Sequence, residues 1–267
     1  MAWSRSDRGQ ALAFVGLLGM AAWAIHTGAA AMPYRWQWAR VTPYLYKTYE
    51  GEIYAGTLIK GLGVTMAISA QGFVVALAAG LLAALLLLSD SVAGRFLARS
   101  YVEIIRNTPL LVQLYLFYFV LAPILGIGRT ATGVLALGLF EGAFAAEIIR
   151  AGILAVPLGQ SEAALSLGLT RLQVTRLVVL PQALRIVLPP LTSLSISLVK
   201  HSAIVSAIAI FDLANEGRNA IADTYMTFEI WLTVAAIYLV VTTVMSQLAR
   251  LLERRLARSP APRSFAH

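Results

Sequence analysis

The sequence predicts an all-α, polytopic membrane protein with about six transmembrane helices. Two observations carry this. Of its 267 residues, 59% are hydrophobic and only 13% are charged, and the mean hydropathy is +0.76. A soluble domain of this size would have too little polar surface to cover so much apolar material. The apolar residues also fall into separate runs, each long enough for a hydrocarbon core of about 30 Å, which takes about 20 helical residues. Backbone groups in lipid need internal partners, so such runs form helices. The period-two alternation of a membrane barrel is missing.

Arg5 and Arg8 precede an apolar stretch from Ala11 to about Met32. With Ala29, Ala30 and Ala31 it also has the form of a cleavable leader, but a retained first span is the expectation. Residues 32–56 concentrate Tyr34, Trp36, Trp38, Tyr44, Tyr46 and Tyr49. They read as an aromatic segment along the membrane surface, or as a plain loop. Further spans are expected at about 57–88, 101–125, 131–151, 186–210 and 228–251. The chain thus divides into an N-terminal part (1–55), a transmembrane domain (56–255) and a disordered cytoplasmic tail (256–267).

Orientation follows from the basic residues. With the N-terminus inside, Arg95, Arg99, Arg106, Arg150, Arg171, Arg176, Arg185 and the C-terminal arginines all lie on the cytoplasmic side. Only Arg35, Arg40, Lys47, Lys60, Arg129 and Arg218 remain outside, a clear positive-inside bias. Both termini are then cytoplasmic, and so is the polar interval 159–190 between spans four and five. The interval after span five, with Asp212, Glu216, Asp223 and Glu229, faces out. The net charge of +8 therefore belongs to cytoplasmic loops, not to a nucleic-acid surface.

Several chemistries are excluded. There are no cysteines, hence no disulfide and no thiolate metal site. No phosphate-binding loop or dinucleotide fingerprint occurs, and His26, His201 and His267 are scattered. No catalytic residue, metal ligand or bound cofactor is expected on this chain.

Small residues recur every four positions at Gly72, Ala76, Gly80 and Ala84, and again at Gly138, Gly142 and Ala146. That spacing puts them on one helical face, where backbones approach closely, though Ala is common throughout these spans. Charges within spans are functional candidates by default. Glu141 lies near the middle of span four. Lys200, His201 and Ser202 lie well inside span five. Together with Asn107, Thr108 and Gln113 they are read as a polar substrate pathway. The plainer alternative is a structural Glu141–Lys200 ion pair. Pro109 bends span three or ends its first turn, and Glu147 and Arg150 form a local pair.

In the polar interval, Ser161 caps a short helix through Leu167 and Gly168 stops it. Thr170 and Gln173 fit a capping box for a second helix reaching about Val179, which Pro181 ends.

Here a resemblance becomes specific. Glu162-Ala163-Ala164, then Gly168, then Leu180-Pro181 resembles the cytoplasmic signature loop of ABC importer permeases. The run Glu103 to Gln113, the run Glu147 to Ile153, Gly159-Gln160 and Leu180-Pro181-Gln182-Ala183 resemble motifs of the branch that imports polar amino acids. The match covers roughly 56–255.

The resemblance implies a type I ABC importer permease fold. In that family the loop is a coupling helix, which assigns Gln160, Glu162, Ala163, Ala164, Gly168 and Pro181 to docking on an ATPase. It further implies a bacterial inner membrane location and two ATPase subunits carrying ATP and Mg. The other implied partners are a second permease subunit, identical or homologous, an extracytoplasmic binding protein and an amino-acid substrate. Two departures stand out. His201 follows Lys200 where relatives carry an acidic or amide residue, which suggests a less cationic substrate. The first span is extra to a five-span core. Rival readings are a proton-coupled secondary transporter using Glu141 or His201, and a non-transporting membrane assembly subunit.

Overall fold

The computed structural model describes residues 5–31 and 34–257, and its contacts divide the chain into two units, Met1–Trp38 and Ala39–His267. In the first unit, α1 (Arg5–Ala31) is a single helix with an apolar stretch at Ala13–Ala29. After it, Tyr34 meets Trp36 edge-on, and Trp36 stacks on Trp38 at 5.9 Å.

The second unit opens with a short helix α2 (Thr42–Leu45) and a two-stranded antiparallel hairpin, β1 (Tyr46–Tyr49) and β2 (Glu52–Ala55). This short hairpin is an exception to the helical expectation, and it lies within the aromatic segment expected at 32–56. The local chemistry explains it. Tyr, Thr and Ile favour extended backbone. Glu50 and Gly51 both adopt positive φ (51° and 82°), the requirement of a tight hairpin turn whose twist matches its strands.

The Ala- and Leu-rich α3 (Thr57–Leu88) runs unbroken for 32 residues. Ser91 caps α4 (Val92–Arg106), accepting from Gly94 N–H at 3.1 Å. The span expected at 101–125 is broken at Pro109, where a bend was expected. Pro109 takes extended backbone (φ −64°, ψ 136°), and α5 (Leu110–Tyr115) starts after it. The apolar helix through Leu125 lies at 108° to α4. A π-helical turn at Leu116–Leu121 leads to α6 (Ala122–Leu125), closed by Gly126 in the left-handed region.

Helix α7 (Arg129–Leu154) is the centre of the packing. Gly72, Ala76, Gly80 and Ala84 of α3 are buried, as are Gly138, Gly142 and Ala146 of α7. A Cβ on Gly80 would stand 2.6 Å from the Ala145 Cβ, and one on Gly138 would stand 2.5 Å from the Val75 Cβ. The two small-residue stripes therefore let α3 and α7 touch backbone to backbone. A core of Ile68, Leu110, Leu114, Leu137, Val205 and Ile208 fills the space beside them.

Next come α8 (Leu158–Ser166), α9 (Arg171–Val174), a π-helical turn at Thr175–Val179 and α10 (Leu180–His201). Two expectations fail here. Ser161 is not the N-cap, because α8 begins three residues earlier, behind Pro157. Pro181 does not end the second helix either: one apolar helix runs over Arg171–Ile208, with Pro189 and Pro190 also inside it. Pro181 sits in the first turn of α10 after a widened π turn, a position where a missing N–H costs little.

A 3-10 turn (Ser202–Ile208) follows α10, and Ala209 in the left-handed region ends it. Asp212 caps α11 (Leu213–Thr224), and α12 (Thr227–Ala257) completes the chain. Of the tail expected at 256–267, Leu256 and Ala257 end α12 and residues 258–267 lie outside the described residues. Among the described residues, four helices are long and apolar enough to cross a membrane, or five if the bent pair counts as one span.

Candidate functional site

Glu141 sits in the middle of α7 with its side chain 4% exposed. His201 is the last residue of α10, where the α-helix tightens into the 3-10 turn, and its ring is 43% exposed. Its Nδ1 is hydrogen-bonded to the Glu141 carboxyl at 2.6 Å. The Phe140 ring meets the imidazole edge-on, with centroids 6.0 Å apart. One end of this polar pair is thus buried and the other is open.

The anticipated Glu141–Lys200 pair is not formed. Lys200 is exposed and has no hydrogen bond or ion pair among the described residues. Successive helical residues point about 100° apart, so only one of two neighbours can face α7. Val199 and Leu198, buried on the packed side, turn His201 toward Glu141 and Lys200 away.

The other pathway candidates are occupied locally. Ser202 is fully buried and donates to Val199 O at 2.8 Å. Asn107, Thr108 and Gln113 all serve the break between α4 and α5. Asn107 Nδ2 donates to the carbonyl and carboxylate of Glu103, and Thr108 Oγ1 donates to Ile104 O. Gln113 Nε2 donates to Ile105 O at 2.8 Å and to Thr108 Oγ1 at 2.7 Å, replacing bonds that Pro109 interrupts. Its buried Oε1 has no partner among the described residues. These bonds repair the broken helix, and the pathway role expected of the same residues from the sequence is compatible with them.

The segment between α7 and α10 differs in kind. Of the residues expected to dock, Gln160, Glu162, Ala163, Gly168 and Pro181 are exposed and Ala164 is buried. Gly168 adopts φ +83°, the left-handed turn needed between α8 and α9. The Thr170–Gln173 capping box is present in both directions. Leu158, Leu167 and Leu172 stand 79%, 83% and 76% exposed, an apolar surface that nothing in this chain covers among the described residues.

Beyond the span ends, Asp212 is fully buried. One carboxylate oxygen accepts from Asn215 N–H at 3.0 Å while the other has no partner among the described residues. Burial pushes its pKa from the usual 3.8 up to about 6, against the lowering effect of backbone donors and Arg218. Composition hid this residue, since an acid after a span reads as a solvated loop.

The profile of the family described as binding-protein-dependent transport system inner membrane component matches residues 76–258. The glutamine transport system permease protein GlnP of Escherichia coli K12 is 37% identical over 74% of this chain and 92% of that protein. The probable glutamine ABC transporter permease protein GlnM of Bacillus subtilis is 41% identical over 62% of this chain and 77% of that protein. The crystal structure of an amino acid ABC transporter with histidines superposes with a TM-score of 0.70 at 42% identity, covering 74% of this chain and 94% of that one.

Proposed function

We propose, from the premise that this chain belongs to the binding-protein-dependent transport system inner membrane component family, that it forms the pathway of an importer for a polar amino acid with an uncharged side chain. It is a multi-pass membrane protein and a permease subunit of an ABC importer of the polar amino acid branch. The glutamine named for its relatives supports the neutral substrate. So does the Glu141 carboxylate, which is committed to His201 and so less free to attract a cation.

In this reading ATP and Mg are held by two partner ATPases, and this chain supplies no hydrolytic group. Helix α8 is the coupling helix. Closure of the ATPases moves it with α7 and α10 and opens the pathway outward, where a binding protein delivers substrate. Each ligand drives the cycle only through its different affinity for the two states. A second permease subunit completes the pathway. The first span, α1, adds to a five-span core, and the arginine-rich helix ends support a bacterial cytoplasmic side for both termini.

The observation that carries the coupling role is the exposed surface of Glu162, Ala163, Leu167 and Leu172 around the Gly168 turn. The test is Glu162→Lys in the reconstituted importer. ATP-driven uptake is expected to fall at least about tenfold, with the melting temperature of the isolated chain unchanged, since an exposed substitution shifts stability by about 0.5 kcal/mol or less. Wild-type uptake by the variant would sink the coupling assignment. Uptake that a protonophore abolishes while ATP persists would show a proton-driven carrier instead.

A further inference from the structure

One group of charges serves neither the Glu141–His201 pair nor the α8–α9 surface. Arg95, Arg99 and Arg106 share one face of α4, and Arg150 at the end of α7 joins them around a cavity of about 450 Å³ that Glu103 and Glu147 also line. Guanidiniums outnumber carboxylates there. Their donors are largely unspent. Arg95 gives one N–H to Ser89 O at 2.7 Å, and Arg106 stands over the Phe144 ring. Arg150 reaches Glu147 only at 3.4 Å, longer than the 2.7–2.9 Å of a strong charge-assisted bond. Arg99 has no hydrogen bond or ion pair among the described residues, and Glu103 already accepts from Asn107.

Beside this basic face α4 carries a second exposed face that is apolar: Val92, Phe96, Leu97 and Ile104 stand between 63% and 75% exposed. The third face, Gly94, Ala98 and Val102, is buried. A helix with an apolar flank next to an arginine flank suits the boundary between acyl chains and head groups. Guanidinium forks match the oxygens of phosphate, and an apolar flank matches acyl chains. Only a ligand carrying both satisfies both faces. We propose that this cavity binds the phosphate of an anionic phospholipid, with Arg99 as its principal ligand and the acyl chains along Phe96 and Leu97. A free phosphate shares the head-group chemistry but leaves the apolar flank unused.

The test is native mass spectrometry of the full chain in a non-ionic detergent, titrated in turn with phosphatidylglycerol, phosphatidylcholine and inorganic phosphate. Phosphatidylglycerol is expected to bind at least about tenfold more tightly than phosphatidylcholine. Arg99→Gln is expected to weaken it about tenfold, the loss of one charge-assisted contact. Arg250→Gln, on the separate basic surface of α12, is expected to leave it unchanged. Equal binding of the two lipids, or an Arg99→Gln chain with wild-type preference, overturns the proposal. Inorganic phosphate competing as well as the lipid also overturns it, in favour of a free-anion site. If Arg99→Gln does not fold, Arg99→Lys keeps the charge and removes the fork. It is expected to weaken phosphatidylglycerol binding by less, and no weakening at all overturns the assignment.

Discussion

Glu141–His201 and the α8–α9 segment are both polar interruptions of an apolar chain, yet the fold treats them in opposite ways. Glu141 is buried and its carboxylate is met by His201 at 2.6 Å. The α8–α9 segment leaves the Glu162 carboxylate without a partner among the described residues and Leu158, Leu167 and Leu172 in the open. A buried charge must be paired inside the chain, because desolvation otherwise costs too much. An exposed apolar surface beside an unpaired acid gains nothing from its own chain and is free to be completed by another. Polarity in an odd place is therefore two signals, and burial separates them.

That contrast breaks most easily at the buried end. His201→Ala leaves the Glu141 carboxylate without its donor and is expected to cost about 1–3 kcal/mol in thermal unfolding of the detergent-solubilised chain. A change within about 0.5 kcal/mol would mean that water replaces the imidazole and that the pair does not hold α7 to α10. His201→Asp sets two carboxylates together, which must share a proton. Uptake is expected to shift toward cationic amino acids, and unchanged selectivity across a panel would remove His201 from the substrate argument.

The next effect sharpens the comparison through Asp212, a buried acid with one oxygen unpartnered. Its folded pKa of about 6 lies above the usual 3.8, so the native state holds the proton more tightly than the unfolded chain. Its contribution is fully present at low pH and is lost as pH rises from about 4 to 6. Asp212→Asn keeps the helix cap and removes the buried charge. It is expected to raise the melting temperature at neutral pH and to flatten this slope, which melts across that pH window would show.

Thr170→Ala removes the cap of α9, an expected loss of about 1 kcal/mol that hydrogen exchange of the α9 amides would report. Leu172→Ser is expected to change the stability of the isolated chain least, within about 0.5 kcal/mol. Its effect should fall on assembly with the ATPase, measured by co-purification. A large loss of stability in the isolated chain would show that Leu172 packs internally and would erase the contrast with Glu141.

The limits of the sequence reading follow the same physics. The capping box at Thr170 and the Gly168 turn were legible because their signals are local. The break in span three was half legible: Pro109 marked it, but the bonds of Gln113 that rebuild it cross five to eight residues and left no local signal. Pro181 misled because a π turn removes the penalty that makes proline a stop. The hairpin at 46–55 was missed because tyrosines near a membrane are equally common in interfacial loops, while the Glu50–Gly51 turn carries no asparagine to announce it.

Hydropathy, charge bias and residue spacing by themselves determined that this chain is a helical membrane protein, that two spans each carry a stripe of small residues, and that a polar surface lies between two spans. These are properties of segments, set by transfer free energies and helical periodicity. Only the tertiary structure decided that Glu141 takes His201 and not Lys200, that four arginines share one cavity, and that Asp212 is buried. Each of these depends on which side of a helix a neighbour covers, and that is settled when helices distant in sequence pack together.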